Sequence, residues 1–180
     1  MDALILTADQ FEDSEVLYPK YRLEEAGFGV DIATPDGEDA TGKHGIGCQA
    51  DRAIIDCLDS AVDSYDLLVV PGGYAPETIR MAVPEAATIV AAFDAAGKPI
   101  ASICHGIQLL ISAGILDGRT VTGYQALAID IENAGARFED SRVVIDDNLV
   151  TSRVPDDLPA LLRETIGVVD GVDVPAVSAD

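Results

Sequence analysis

A mostly parallel β-sheet with helices on both faces is the α/β fold that this sequence predicts. Three observations carry the prediction. Short apolar runs alternate with stretches of helical period along the 180 residues. The runs Leu67-Leu-Val-Val70 and Ile100-Ala-Ser-Ile103 are apolar almost throughout, so they read as strands buried on both sides. Glycines at Gly27, Gly97, Gly114 and Gly135 close the helical stretches and separate one strand–helix unit from the next.

Taken in order, residues 3–7 form a first strand, and 14–26 a helix with Val16, Leu17, Tyr21 and Leu23 apolar. Pro19 removes one hydrogen bond from that helix and predicts a kink or a start near it. Residues 29–33 are a second strand, stopped by Pro35-Asp36-Gly37. From 42 to 55, three glycines and short alternating pieces point to a small β excursion. The strand at 66–70 runs into Pro71-Gly72-Gly73, and 85–96 is an alanine-rich helix. Residues 99–103 form the central strand and 105–113 the next helix, with only Cys104-His105-Gly106 around the join. Beyond it come a short strand at 120–122, a helix at 126–133 and a hairpin of 142–145 with 149–152 across Asp146-Asp147-Asn148. The last helix, 158–166, follows the capping run Pro155-Asp156-Asp157. One domain over 1–167 is expected, followed by a tail, 168–180, without helical period. The tail is expected to be partly ordered, either flexible or docked as an edge strand.

Composition narrows the function. No apolar run approaches the ~20 residues needed to cross a bilayer. Met1-Asp-Ala-Leu-Ile-Leu-Thr7 lacks the basic start of a signal peptide, so a cytoplasmic protein is expected. Three cysteines give no disulfide framework, and Cys48 and Cys57 read as structural. Lysine plus arginine is 11 against 32 acidic residues, a net charge of −21. That excludes nucleic acid and anionic membrane as partners, since both would be repelled. With lysine only at 20, 43 and 98, the surface suits concentrated salt, where screening removes self-repulsion. A melting temperature that rises from dilute buffer to molar KCl is the expected consequence. The two histidines show no metal-ligand spacing, so neither metal nor cofactor is expected.

The chemistry gathers at the join between residues 103 and 107. A chain that turns from strand to helix over one or two residues makes a sharp elbow and exposes the side chain there. Here that side chain is Cys104. The start of a helix beneath it favours thiolate, so the thiol is expected to be acidic. The alternative is a small buried hydrophobe, as most free cysteines are. In a parallel sheet, ligands bind beyond the carboxyl ends of the strands. Ala8-Asp-Gln-Phe-Glu12-Asp13, Gly72-Gly73 and Cys104-His105 all fall there. The amides of Gly73 and His105 could meet an oxyanion, although Gly-Gly also suits a plain tight turn.

The motifs Leu-Thr-Ala-x-x-Phe-Glu-Asp, Pro-Gly-Gly-x-Ala-Pro-Glu, Ala-Ser-Ile-Cys-His-Gly and Ser-Arg-x-Pro-x-Asp-Leu occur in that order. Together they resemble the ThiJ/PfpI superfamily, in particular its PfpI-type intracellular peptidase and deglycase branch. The resemblance implies a flavodoxin-like three-layer sandwich related to class I glutamine amidotransferase domains. It implies Cys104 as nucleophile, Glu12 as the carboxyl against that thiol, and His105 as the histidine that follows it. It also implies Gly73 with the His105 amide as oxyanion hole. Glu77 matches a glutamate that reaches the histidine of a neighbouring subunit, and Tyr124 a tyrosine near the pocket. Tyr74 stands where some relatives carry a basic residue, which would alter substrate choice. Two local alternatives stay open: Glu12 as a helix cap, and His105 acting only through its amide. His44 is expected at the surface or an interface.

Two function classes follow. One is a cysteine-dependent hydrolase or lyase acting on carbonyl carbon of a peptide, a glycated amine or a small aldehyde. The resemblance makes it a homo-oligomer, a dimer or a hexamer of dimers. The other is a redox-responsive stress protein or chaperone in which Cys104 is oxidised. His105 and Glu77 together favour the enzyme, since a sensor needs neither.

Overall fold

The computed structural model describes residues 1–171. Its central sheet grows from three strands that are buried almost end to end: β1 (Asp2–Leu6), β6 (Leu67–Val70) and β7 (Ile100–Ile103). Around them in chain order are α1 (Asp13–Glu25), β2 (Gly29–Thr34), β3 (Ala40–Thr41), β4 (Gly47–Cys48) and β5 (Arg52–Ala53). The short helices α2 (Ile54–Cys57) and α3 (Ala61–Ser64) precede β6, and α4 (Ala75–Ala82) and α5 (Ala86–Ala95) follow it. After β7 come α6 (Ile107–Ala113), β8 (Thr120–Val121), α7 (Ala128–Asn133), β9 (Arg137–Phe138), β10 (Val143–Asp146), β11 (Leu149–Ser152) and α8 (Leu158–Val169).

The main sheet has seven strands in the order β10-β11-β7-β6-β1-β2-β5. All neighbours are parallel except β10 with β11, the hairpin the sequence predicts. Helices α1 and α8 pack together, and α5 packs on α6, α4 and α3. This is the three-layer α/β arrangement. The register sets the working edge: Ile5 pairs with Val69 and Val70 with Ser102, so β1, β6 and β7 all end at one level. The segments 8–12, 71–73 and 104–106 are therefore neighbours.

Several local expectations change. Helix α1 passes through Pro19 without breaking, held by the burial of Val16, Pro19 and Leu23. The β excursion is present as the β3–β4 hairpin with β5 on the sheet edge. Strand β8 does not join the main sheet but pairs in parallel with β9, a two-residue strand with no sequence signal. Helix α8 continues to Val169, past the expected end, because Leu158, Leu161, Leu162 and Thr165 keep one side buried. The rest of the expected tail, 172–180, lies outside the described residues. Among the described residues no helix is long and apolar enough to cross a membrane.

Candidate active site

The elbow is built from two unusual backbone requirements. Cys104 has φ +58°, a left-handed conformation that an L-residue with a side chain rarely adopts. Gly106 lies so close to β6 that an added Cβ would sit 2.1 Å from the Val70 carbonyl oxygen. Strand β7 can thus turn at once into the 3₁₀ turn Cys104–Gly106 and then α6. Gly114, at φ +70°, ends the helix.

The turn leaves Cys104 recessed, 9% exposed, and brings three kinds of group to its sulfur. His105 Nδ1 is 3.3 Å from Sγ. The backbone amides of His105 and Gly73 are hydrogen-bonded to the sulfur. The third group is a carboxyl, and it is Glu15, whose Oε2 packs beside Cys104 at Gly72. Glu15 is fully buried on α1, and its Oε2 accepts the Gly72 N–H at 2.7 Å. Glycine is required at 72, because a Cβ there would meet Glu15 Oε2, His105 N and Cys104 Cβ at 2.7–2.9 Å.

Glu12, the expected carboxyl, does not face the thiol. Its Oε2 lies 2.5 Å from Lys43 Nζ and 3.7 Å from His44 Nε2. The reason is helical phase. Glu12 is the residue before α1, whereas Glu15 continues the buried stripe Glu15, Pro19, Leu23 at four-residue spacing. Nor does Glu12 cap α1 with its side chain; its backbone carbonyl accepts the Glu15 N–H at 2.9 Å. His44 is exposed, as expected.

The electrostatics also differ from the expected acidic thiol. Burial pushes the Cys104 thiol up to about 12, the Glu15 charge adds to this, and the amides of His105 and Gly73 oppose it. Burial likewise lifts the Glu15 carboxyl to about 8. Both shifts have burial as their largest cause, so the Glu15 carboxyl keeps its proton at neutral pH. Burial lowers the His105 pKa below its ordinary value, with Glu77 opposing, so the imidazole is neutral.

Tyr124 stacks on the His105 ring with centroids 4.6 Å apart, and its N–H bonds the Cys104 carbonyl at 3.1 Å. Tyr74 is exposed on the rim, at the start of α4. Glu77, expected to point away from its own chain, turns inward: Oε1 accepts Gln108 Nε2 at 3.0 Å. Its Oε2 is buried with no hydrogen-bond partner among the described residues. Glu12, Asp13 and His44 bring ligand-type atoms within 4.8 Å of one another. Asp13 already accepts the N–H groups of His44 and Ile46, and the Lys43 ammonium on Glu12 would repel a cation. This group is an ion-paired turn, not a metal centre.

A sequence profile of the DJ-1/PfpI family matches residues 1–167. The chain belongs to the DJ-1/PfpI family. A deglycase of Pyrococcus abyssi is 47% identical over 166 residues, 92% of this chain and 98% of that protein. General stress protein 18 of Bacillus subtilis is 41% identical over 93% of this chain and 96% of its own length. A two-domain Anabaena variabilis protein with DJ-1/ThiJ/PfpI-like and ferritin-like domains superposes with TM-score 0.88 at 32% identity. That match covers 99% of this chain and 52% of the other. Membership in the DJ-1/PfpI family bears out the resemblance read from the four motifs. Glu15 is the residue that reading missed, and its signal was a glutamate on an otherwise apolar helical stripe.

Proposed function

We propose that this DJ-1/PfpI chain is a cysteine-dependent enzyme of the deglycase or glyoxalase type, acting on the carbonyl carbon of small substrates. The observation that carries the reading is Cys104 Sγ held 3.3 Å from His105 Nδ1, with the buried Glu15 carboxyl packed beside the same elbow. The name of the Pyrococcus abyssi relative supports it. The thiol proton passes to the neutral His105 Nδ1. The sulfur electron pair then forms the S–C bond while the carbonyl π pair moves to oxygen. The amides of Gly73 and His105 stabilise that oxyanion, and the imidazolium returns the proton to give a thiohemiacetal. Neutral Glu15 donates to the sulfur meanwhile, which avoids a second negative charge beside the thiolate. In a 2-oxoaldehyde the hydrogen on the thiohemiacetal carbon then leaves as a proton and returns to the adjacent carbonyl carbon through an enediol, which gives a thioester and a new hydroxyl. Water cleaves the thioester to release the hydroxy acid and the Cys104 thiol, and a glycated amine follows the same course after expelling its amine. The recessed sulfur favours a small aldehyde or glycated amine over a peptide chain.

The test is to offer methylglyoxal, a glycated amino acid and a fluorogenic peptide, each beside Cys104→Ala. Turnover of a carbonyl compound by the parent chain, lost in the variant, is expected. Peptide cleavage alone would move the reading to a peptidase, and no Cys104-dependent turnover would sink it.

A second reading rests on the Glu15 contact alone. A carboxyl donor beside sulfur would also hold an oxidised Cys104, and one relative is named a general stress protein. Peroxide treatment followed by mass spectrometry of the Cys104 peptide separates the two, since the enzyme reading expects loss of activity on oxidation. The shared site is part of the proposal as well. It rests on the match of Glu77 to the family's intersubunit glutamate, and Glu77 would have to leave Gln108 and turn outward to reach a second chain. The charge of −21 makes that contact weaken as salt is withdrawn. Mixing Cys104→Ala with Glu77→Ala chains under subunit exchange should restore part of the activity if a site spans two chains.

A further inference from the structure

Lysine is scarce in this chain, and each one has a distinct destination. Lys20 pairs with Glu24 along α1, and Lys98 donates to the carbonyls of Val62 and Tyr65. Lys43 is held at the rim of the active site. Its N–H bonds the Phe11 carbonyl at 2.9 Å, and the Asp13 carboxylate accepts the N–H groups of His44 and Ile46, each at 2.9 Å. The turn between β3 and β4 is thus tied at three points to the residues entering α1. A Cβ at Gly42 would strike the Asp13 carboxylate at 2.5 Å, so the turn is built tightly around that side chain.

The ammonium lies 2.5 Å from Glu12 Oε2. The Glu12 backbone presses on Gly73, where an added Cβ would be 2.3 Å from Glu12 N. Gly73 in turn gives its amide to the Cys104 sulfur. Ammonium, amide and sulfur therefore succeed one another along one short path. An ammonium has three N–H donors. Glu12 is the partner of Nζ among the described residues, and the side chain is 36% exposed, so the remaining donors are open to a ligand.

That group has a purpose a neutral substrate would not require. The site lies in a strongly acidic chain of net charge −21, with Glu12 at its rim, and an approaching anion needs a local cation. We propose that Lys43 is a specificity-determining residue that receives a carboxylate carried by the carbonyl substrate. Glu12 keeps the ammonium over the rim, and the incoming carboxylate shares it. Favoured substrates are then 2-oxoaldehydes that carry a carboxylate rather than neutral 2-oxoaldehydes of similar size. This deepens the carbonyl reading and rests on it only for the word substrate.

The test compares two alkylating reagents that differ by one negative charge, iodoacetate and iodoacetamide, at Cys104. Peptide mass spectrometry keeps Cys48 and Cys57 apart. Both reagents consume the same thiolate, so a change in thiol ionisation cancels in the ratio of rates. Lys43→Met should lower the iodoacetate-to-iodoacetamide ratio about tenfold, and Lys43→Arg should keep it within about twofold. 4,5-Dioxopentanoate, a 2-oxoaldehyde that carries a carboxylate, against methylglyoxal should show the same shift in kcat/KM. An unchanged alkylation ratio in folded Lys43→Met, or in Lys43→Gln if the Met variant does not fold, overturns the proposal. A shifted ratio with neither aldehyde turned over leaves Lys43 as the anion receiver and removes the carbonyl chemistry instead.

Discussion

Opposite edges of the sheet handle buried charge in opposite ways. At the amino edge of β7 and β11, Arg119 is enclosed by acceptors. Its NH1 reaches the Asp146 carbonyl at 3.1 Å and the carboxylates of Asp146 and Asp147 at 3.4 and 3.3 Å. Its NH2 takes Asp94 Oδ1 at 2.8 Å and Asn148 Oδ1 at 3.2 Å. Each group there has a counter-group, and the cluster joins α5, β8 and the β10–β11 turn. At the carboxyl edge, Glu15 keeps its proton and is paired with no cation among the described residues, and one oxygen each of Glu15 and Glu77 is buried without a partner among them. The first edge is arranged for stability. The second leaves protons and lone pairs available, which is what a reaction needs and a fold does not.

The contrast can be broken at Glu15 first. Its carboxyl is raised in the fold from its ordinary value of 4.5 to about 8. The stability it contributes is therefore fully present below 4.5 and lost as pH rises to about 8. Glu15→Gln removes that loss. Denaturant melts should show the variant gaining about 4 kcal/mol on the parent between those limits. Its carbonyl turnover should fall about 100-fold. A parallel pH dependence in both chains would mean that the carboxyl ionises freely.

Arg119 comes next. Arg119→Met leaves carboxylates partly buried without their cation, so unfolding free energy should fall by about 3 kcal/mol. Activity per folded molecule should hold, because the cluster lies across the sheet from Cys104. Loss of activity without loss of stability would erase the distinction between the edges. The smallest effect is at Tyr124. Tyr124→Ala removes a ring stack worth about 1 kcal/mol from His105. Turnover should drop about fivefold, and Tyr124→Phe should restore it.

Much of this was legible in the sequence because it is local or periodic. The elbow is readable from a buried strand followed at once by a helical stripe, and the glycine stops from their positions. The parallel sheet follows from strand–helix alternation. The Glu12 expectation failed because a motif fixes a neighbourhood but not a helical phase. Only the stripe Glu15, Pro19, Leu23 indicates which carboxyl turns inward. Strand β9 and its pairing with β8 were illegible, since two residues have no period and only tertiary contacts make them a strand. The raised thiol pKa was missed for a related reason. A helix start can be seen in sequence, but the depth of burial that outweighs it cannot.

The left-handed turn at Cys104 has an evolutionary consequence. A residue with a Cβ at φ +58° costs roughly 1–2 kcal/mol that glycine would not. Cys104→Gly would relieve the strain and abolish the nucleophile in one step. Selection for robustness alone would therefore drift toward the inactive chain, and any thermostabilising screen run without an activity readout would be drawn to this position.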